Sequence, residues 1–267
     1  VVDGTLGIVG CGRLGGALLE RLLAAGVVAA ADVVVSDADP DRVAQLRADH
    51  GVEATHDNAA PLGADTVVLA LKPQVLPGVL RADGAAVSAG SVVVSLAAGT
   101  TTATIEDLLP NDPPVVRVMS NTPALVGAAM SVVAPGSRAG QEHVARAREL
   151  AAALGAVREL PESQLDAVTA LSGSGPAYVF LLAEAMAEAG VLNGLSRQDA
   201  VALVTQTIAG AGALLVDRDG DATGMREAVT SPGGTTAAAL QVLERAGVRG
   251  AVLDAVSAAV ARGRELG

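Results

Sequence analysis

Tryptophan is absent from this chain, and phenylalanine, tyrosine, cysteine and lysine occur once each. With so few aromatics, the core has to come from Ala, Val and Leu, and 51% of the residues are hydrophobic. A single cysteine, Cys11, excludes an internal disulfide and fits a reducing compartment, so a cytoplasmic location is expected. No apolar run reaches the roughly 18 residues of a membrane span. The start, "VVDGTLGIVGCG", shows neither the basic flank nor the small-residue cleavage pattern of a signal peptide. Long basic runs are missing as well, and the net charge is −11. Such a surface excludes nucleic acid and anionic membrane as expected partners. Lys72 stands alone against seventeen arginines, and His50, His56 and His143, which read as surface or loop residues, all lie in the first 143 residues. The second half therefore has no lysine and no histidine for catalysis.

The 267 residues are enough for one large domain or two ordinary ones. Strand-like segments at 5–10, 32–37, 64–73, 90–99, 114–119, 130–135 and 156–161 alternate with helix-like segments at 13–26, 39–51 and 140–154. The alternation predicts an α/β domain over 1–161, a parallel sheet with helices on both faces. After residue 162 the strand signals stop. Helices are predicted over 163–190, with a break at "SGSGP", and over 196–218, 235–247 and 249–266. This all-α domain, 162–267, has apolar faces wider than one small bundle needs, which predicts pairing with a second chain.

Two glycine-rich loops carry the chemistry. Gly10-Cys11-Gly12-Arg13-Leu14-Gly15 fits G-x-G-x-x-G, follows a strand and opens a helix. In that context the first glycine makes the turn, the second admits a pyrophosphate and the third packs helix on strand. At the end of the second strand, Asp37 suits the ribose 2′-hydroxyl of NAD, whereas Ser36 and Arg42 suit the 2′-phosphate of NADP; both remain open. The second loop, "TSPGGTT" at 230–236, stands before a helix. Gly233 and Gly234 can turn successive N–H groups towards one anion, and Ser231, Thr235 and Thr236 add hydroxyls. No P-loop lysine follows, so a carboxylate is expected there rather than a second nucleotide.

A dinucleotide and a small carboxylate imply a reductase or dehydrogenase. Alcohol dehydrogenation needs a lysine or histidine to move the hydroxyl proton, and the helical half has neither. A cyclic imine needs less: its nitrogen takes a proton from water, and hydride, orientation and one hydrogen bond near nitrogen then suffice.

These residues are recognisable. "DAVTALSGSGPAYVFLLAEAMAEAG" (166–190) and "VTSPGGTTAAALQVLE" (229–244), supported by "LALKPQ" (69–74), "SLAAGTT" (95–101) and "RVMSNTP" (117–123), resemble pyrroline-5-carboxylate reductase almost end to end. The resemblance implies an N-terminal Rossmann domain and a C-terminal helical dimerisation domain. It also implies interlocked subunits in a homodimer or a larger assembly of dimers, with NADPH as cofactor and NADH as the alternative. Carried onto this chain, Gly10, Cys11, Gly12, Arg13, Leu14 and Gly15 bind the pyrophosphate, with Cys11 a small space-filling residue. Ser36, Asp37 and Asn58 lie near the adenosine. Leu71, Lys72, Pro73, Ala98, Gly99 and Asn121 surround the nicotinamide, where the stretch around Lys72 acts through backbone and shape. Ser231, Gly234, Thr235 and Thr236 hold the substrate carboxylate, with the Thr236 hydroxyl near the ring nitrogen. Tyr178 reads as packing at an interface. The implied reaction passes hydride to C5 of the imine and yields L-proline. Two residues depart from the pattern: Ser120, where the family often has proline, and Asp37, which is less usual at an NADP site. The alternatives are a reductase of a related cyclic imino acid and a non-catalytic dinucleotide-binding regulatory protein.

Overall fold

The computed structural model describes residues 4–266; Val1–Asp3, part of the stretch read for a leader, and Gly267 lie outside the described residues. Eight strands form one sheet in the order β3-β2-β1-β4-β5-β6-β7-β8. They are β1 (Leu6–Val9), β2 (Val33–Ser36), β3 (Glu53–Thr55), β4 (Thr66–Leu69), β5 (Val92–Ser95), β6 (Val115–Met119), β7 (Ala129–Pro135) and β8 (Gly155–Glu159). Helices α1 (Arg13–Ala24), α2 (Pro40–His50), α3 (Ala59–Leu62), α4 (Leu76–Asp83), α5 (Thr102–Leu108) and α6 (Gln141–Ala152) connect them. Strands β1 to β6 are parallel. The sheet is not parallel throughout, as the alternation predicts, because β7 runs antiparallel to β6. The link between them holds only the short 3-10 turn Thr122–Val126, too little chain for a parallel crossover.

Alternate residues of the buried strands feed two cores, as a period of two requires. Leu6, Ile8, Val68, Val94 and Val116 pack with Leu18, Leu22, Leu46, Val144 and Leu150 of α1, α2 and α6. Val9, Val67, Leu69, Val93 and Val115 pack on the other face with Leu62, Leu76, Leu80 and Ile105 of α3, α4 and α5. Each fully buried aliphatic side chain here stabilises the fold by about 1.5–3 kcal/mol. The predicted helix start at Asp39 is present: its carboxylate accepts the Asp41 N–H at 3.0 Å, with Pro40 in the first turn.

The chain divides into two compact units, residues 1–174 with 259–267 and residues 175–258. Residues 162–174 belong with the sheet for two physical reasons. Leu165, in the short α7 (Leu165–Val168), is fully buried against Val132 and Ala134 of β7. Glu162 also joins three segments: one oxygen accepts the Thr102 N–H at 2.8 Å and Arg117 Nη1 at 3.2 Å, and the other accepts the Thr102 hydroxyl at 2.6 Å. Past α7 the predicted break is a π-helical turn, Thr169–Gly173.

The second unit holds α8 (Gly175–Leu192), α9 (Arg197–Asp217), α10 (Ala222–Ala228), α11 (Thr235–Arg245) and the first part of α12 (Val248–Leu266). α8 and α9 meet closely at Gly190, where a Cβ would stand 3.0 Å from that of Ala200. Ala187 and Ala200 are its buried apolar residues among those described. Of twenty-three exposed large apolar side chains among the described residues, nineteen lie in this unit, including Phe180 at 65% and Leu192 at 87%. The helical stretch 162–192 and α9 are each long and apolar enough, by length and composition, to cross a membrane. Counting unbroken apolar runs hides this because Gly, Ser and Thr interrupt them. So much apolar surface on one unit requires a cover.

Arg117 is 4% exposed, and removing its partner leaves a buried charge uncompensated. Glu162→Ala should therefore lower stability by about 3 kcal/mol, read as a shift of the urea midpoint at unchanged slope. Glu162→Gln should recover part of that loss.

Candidate active site

The strand order reverses direction at β1, which pairs with β2 on one side and β4 on the other. The register sets Val9 level with Ser36 and with Leu69. The loops that begin at Gly10, Asp37 and Ala70 therefore leave the sheet at one height, at the switch point where open α/β sheets bind dinucleotides.

Gly10 has φ +90°, and a Cβ there would lie 2.8 Å from the Ala70 carbonyl oxygen and 3.0 Å from a Leu71 methyl. A side chain at Gly15 would strike the Gly10 carbonyl, so α1 lies directly on the turn. Gly12 is the N-cap of α1, without a side-chain cap and without an acidic residue in the first turn. Nothing lies within 4 Å of where its Cβ would be. The unpaired amides of the α1 N-terminus thus open onto free space, which fits a pyrophosphate.

Cys11 is held at both of its peptide groups. Its N–H donates to Asp37 Oδ2 at 2.9 Å, and its carbonyl accepts Arg42 Nε at 2.8 Å. The thiol is buried and space-filling. Burial first, and then the negative charge of Asp37, push it up to about 12, against the opposing pull of Arg42. A side chain at Gly16 would meet the Arg42 guanidinium, so the glycine gives that group its seat on α1.

At the end of β2, the Ser36 hydroxyl is fully buried and donates to Asn58 Oδ1 at 2.8 Å. These two predicted cofactor residues face each other and brace β2 against α3. Asp37 is half-buried and lines a cavity of about 440 Å³ with Cys11, Gly12, Arg13, Asp39 and Arg42.

On the other side of the switch point, Leu71 and Pro73 are half-buried and Lys72 is exposed. The Lys72 carbonyl accepts the N–H groups of Val75 and Leu76 and starts α4. Ala98 is exposed and Gly99 has open space beside it, in the loop between β5 and α5. Asn121 acts as a tie: its amide nitrogen donates to the carbonyl and hydroxyl of Ser172, each at 3.2 Å, and its oxygen accepts the Met130 N–H at 3.1 Å. A cavity of about 370 Å³ opens here, lined by Leu14, Met119, Ser120, Asn121, Thr169 and Ser174 among others. Met119, Thr169 and Gly173 line it without any signal in the sequence that marks them; the π-helical turn carries the last two, and such bulges are found at functional sites. Ser120, which departs from the family's frequent proline, accepts a hydrogen bond from the Ser131 hydroxyl at 3.0 Å.

The second loop belongs to the helical unit. Gly233 has φ +69°, and the Gly234 N–H closes a turn onto the Ser231 carbonyl at 3.0 Å. Gly234 caps α11 with no side-chain hydrogen bond to the helix, so the first amides of α11 stay available to an anion. Ser231 and Thr235 are exposed, and Thr236 is half-buried.

Comparison with known proteins places this geometry. Residues 162–266 match the family model described as pyrroline-5-carboxylate reductase dimerisation. Residues 5–99 match one described as NADP oxidoreductase, coenzyme F420-dependent. A pyrroline-5-carboxylate reductase of Mycobacterium tuberculosis is 45% identical, over 98% of this chain and 96% of that protein. One of Methanosarcina acetivorans is 39% identical, over 98% and 97%. Among solved structures, a pyrroline-5-carboxylate reductase from Coxiella burnetii superposes with a TM-score of 0.93 at 34% identity, covering 99% of both chains. The Plasmodium falciparum pyrroline carboxylate reductase, solved with NADP bound, gives 0.87 at 27% identity, covering 99% of this chain and 98% of that one.

Gly12→Val should abolish nucleotide binding in a calorimetric titration while leaving the thermal transition nearly unchanged, because the added side chain enters open space. At pH 8 a thiol with a pKa of about 12 is thiolate in only ~10⁻⁴ of molecules. Cys11 should therefore resist a disulfide reagent until urea unfolds the chain; rapid stoichiometric labelling of the folded protein would contradict its placement.

Proposed function

Because this chain belongs to the pyrroline-5-carboxylate reductase family and is an NAD(P)H-dependent oxidoreductase that reduces that cyclic imine to L-proline, the last step of proline biosynthesis, we propose how its residues carry out the reaction. The cofactor is a nicotinamide dinucleotide, NADPH or NADH: the matching N-terminal family is described as an NADP oxidoreductase, and the Plasmodium falciparum relative was solved with NADP bound. When bound, it supplies the hydride that the imine carbon accepts. Gly10, Cys11, Gly12, Arg13, Leu14 and Gly15 hold the pyrophosphate on the amides of α1. Asp37, with Ser36 and Asn58 bracing the strand beneath, faces the adenosine. Leu71, Lys72, Pro73, Ala98, Gly99 and Asn121 shape the nicotinamide side. The observation that carries this reading is the open, uncapped N-terminus of α1 at Gly12, at the switch point of the sheet.

The substrate carboxylate sits on the uncapped N-terminus of α11, held by the Ser231 hydroxyl and the amides of Thr235 and Thr236, with Gly234 shaping the turn that presents them. The Thr236 hydroxyl accepts the N–H of the protonated imine and keeps that proton at the ring nitrogen while the carbon is reduced. No lysine or histidine is required, because the nitrogen takes its proton from water.

The family's dimerisation domain makes this chain a homo-oligomer acting on a small molecule. We assign the exposed apolar faces of α8, α9, α11 and α12 to the subunit interface of a homodimer, or of a larger assembly of dimers, rather than to a membrane. The buried, unpaired Cys11 fits a cytoplasmic enzyme, and the acidic surface gives no purchase to nucleic acid.

Steady-state assays with pyrroline-5-carboxylate and NADPH or NADH test the assignment. Thr236→Val should lower kcat/KM by the worth of one hydrogen bond, about 1–3 kcal/mol, with nucleotide affinity unchanged. An equal fall in nucleotide affinity would move the SPGGTT loop off the substrate.

A further inference from the structure

We infer that Asp37 selects between the two dinucleotides and makes NADH the better bound of the two; the inference rests on the reductase reading above. Three groups compete for control of the ribose 2′ position: Ser36, Arg42 and Asp37. Ser36 is removed by its burial, because its hydroxyl is 0% exposed and already bonded to Asn58. Arg42 is anchored elsewhere: Nε donates to the Cys11 carbonyl at 2.8 Å and Nη1 to Gln45 Oε1 at 2.9 Å. Its guanidinium lies against Gly16, so its work is to hold the glycine loop in shape.

Asp37 remains, and it cannot swing away. Oδ2 accepts the Cys11 N–H at 2.9 Å and Oδ1 accepts the Asp39 N–H at 3.0 Å. A carboxylate offers about four acceptor sites on its two oxygens, so acceptor capacity remains after these two bonds. A ribose 2′-hydroxyl is a donor and satisfies it. A 2′-phosphate brings only acceptors at neutral pH and about −1.5 to −2 charges, against a carboxylate fixed by two backbone bonds. The rest of the cavity does not reverse this balance: besides Asp37 it is lined by Glu20 and Asp39 and by Arg13 and Arg42, two acids against two bases.

The test is calorimetric titration of the wild-type protein with NADH and with NADPH, repeated on Asp37→Ser, Asp37→Asn and Arg42→Ala, with thermal melts to confirm folding. Wild type should bind NADH more tightly. Asp37→Ser should shift the NADH-to-NADPH affinity ratio at least about tenfold towards NADPH. Asp37→Asn, which can still accept the Cys11 N–H, should shift it in the same direction. Arg42→Ala should weaken both cofactors alike. Tighter NADPH binding by wild type, a ratio unmoved in both Asp37 variants, or a loss confined to NADPH in Arg42→Ala would overturn the inference. Turnover of pyrroline-5-carboxylate is measured in parallel. Binding with the expected ratio but no turnover with either cofactor overturns the reductase reading alone, and turnover with the opposite ratio overturns the role of Asp37 alone.

Discussion

The peptide of Cys11 is gripped from two sides, and the carboxyl edge of the sheet is organised around that grip. An acid from the end of β2 takes its N–H, and a base from α2 takes its carbonyl. The two contacts tie the turn between β1 and α1 to the next βα unit. The loop's glycines then serve packing. Gly10 lets Ala70 and Leu71 approach, Gly15 lets α1 lie on the turn, and Gly16 seats the arginine that holds the carbonyl. Gly12 alone among the fingerprint's three glycines faces open space. A loop held in this way has less chain entropy to lose on meeting a ligand.

A second constraint acts at the seam between sheet and helices. Glu162 gathers the start of α5, the interior of β6 and the chain leaving β8 onto one carboxylate. Its bonds carry direction that apolar packing lacks, because each of its oxygens is satisfied by named donors. The π-helical turn beyond it is tied to the sheet by Asn121, whose amide joins Ser172 to Met130. The wall of the cavity beside Leu14 is thus built by residues more than fifty positions apart in the chain.

The helical unit poses the opposite problem. Small residues at Gly190, Ala187 and Ala200 let α8 and α9 touch, but they bury little, and the large apolar side chains point outward. Such a unit is completed by a second chain rather than by its own core, which is the sense of its family's dimerisation domain. The same property gives two of its helical stretches the length and hydropathy of membrane spans; the sequence marks them as apolar without saying what covers them.

Local chemistry was legible because it is local. Runs of valine, the Asp39-Pro40 helix start and the glycine fingerprint each act within a few residues, and strands, caps and loops appear where those signals stand. The short β3, α4, α5 and α10 were not legible, since three to eight residues carry too little periodicity to distinguish them from loop. The antiparallel turn to β7 depended on the length of one connection. The site divides in the same way. Residue types and spacing predicted two anion-binding loops and left the helical half without lysine or histidine. Tertiary structure alone decided that Ser36 turns inward to Asn58 and that Arg42 clamps the Cys11 carbonyl, leaving Asp37 fixed at the edge of the cavity beside Gly12. Which of three neighbouring polar groups faces a ligand depends on partners twenty or more residues away, and the packing of β2 against α1 and α3 settles those partners.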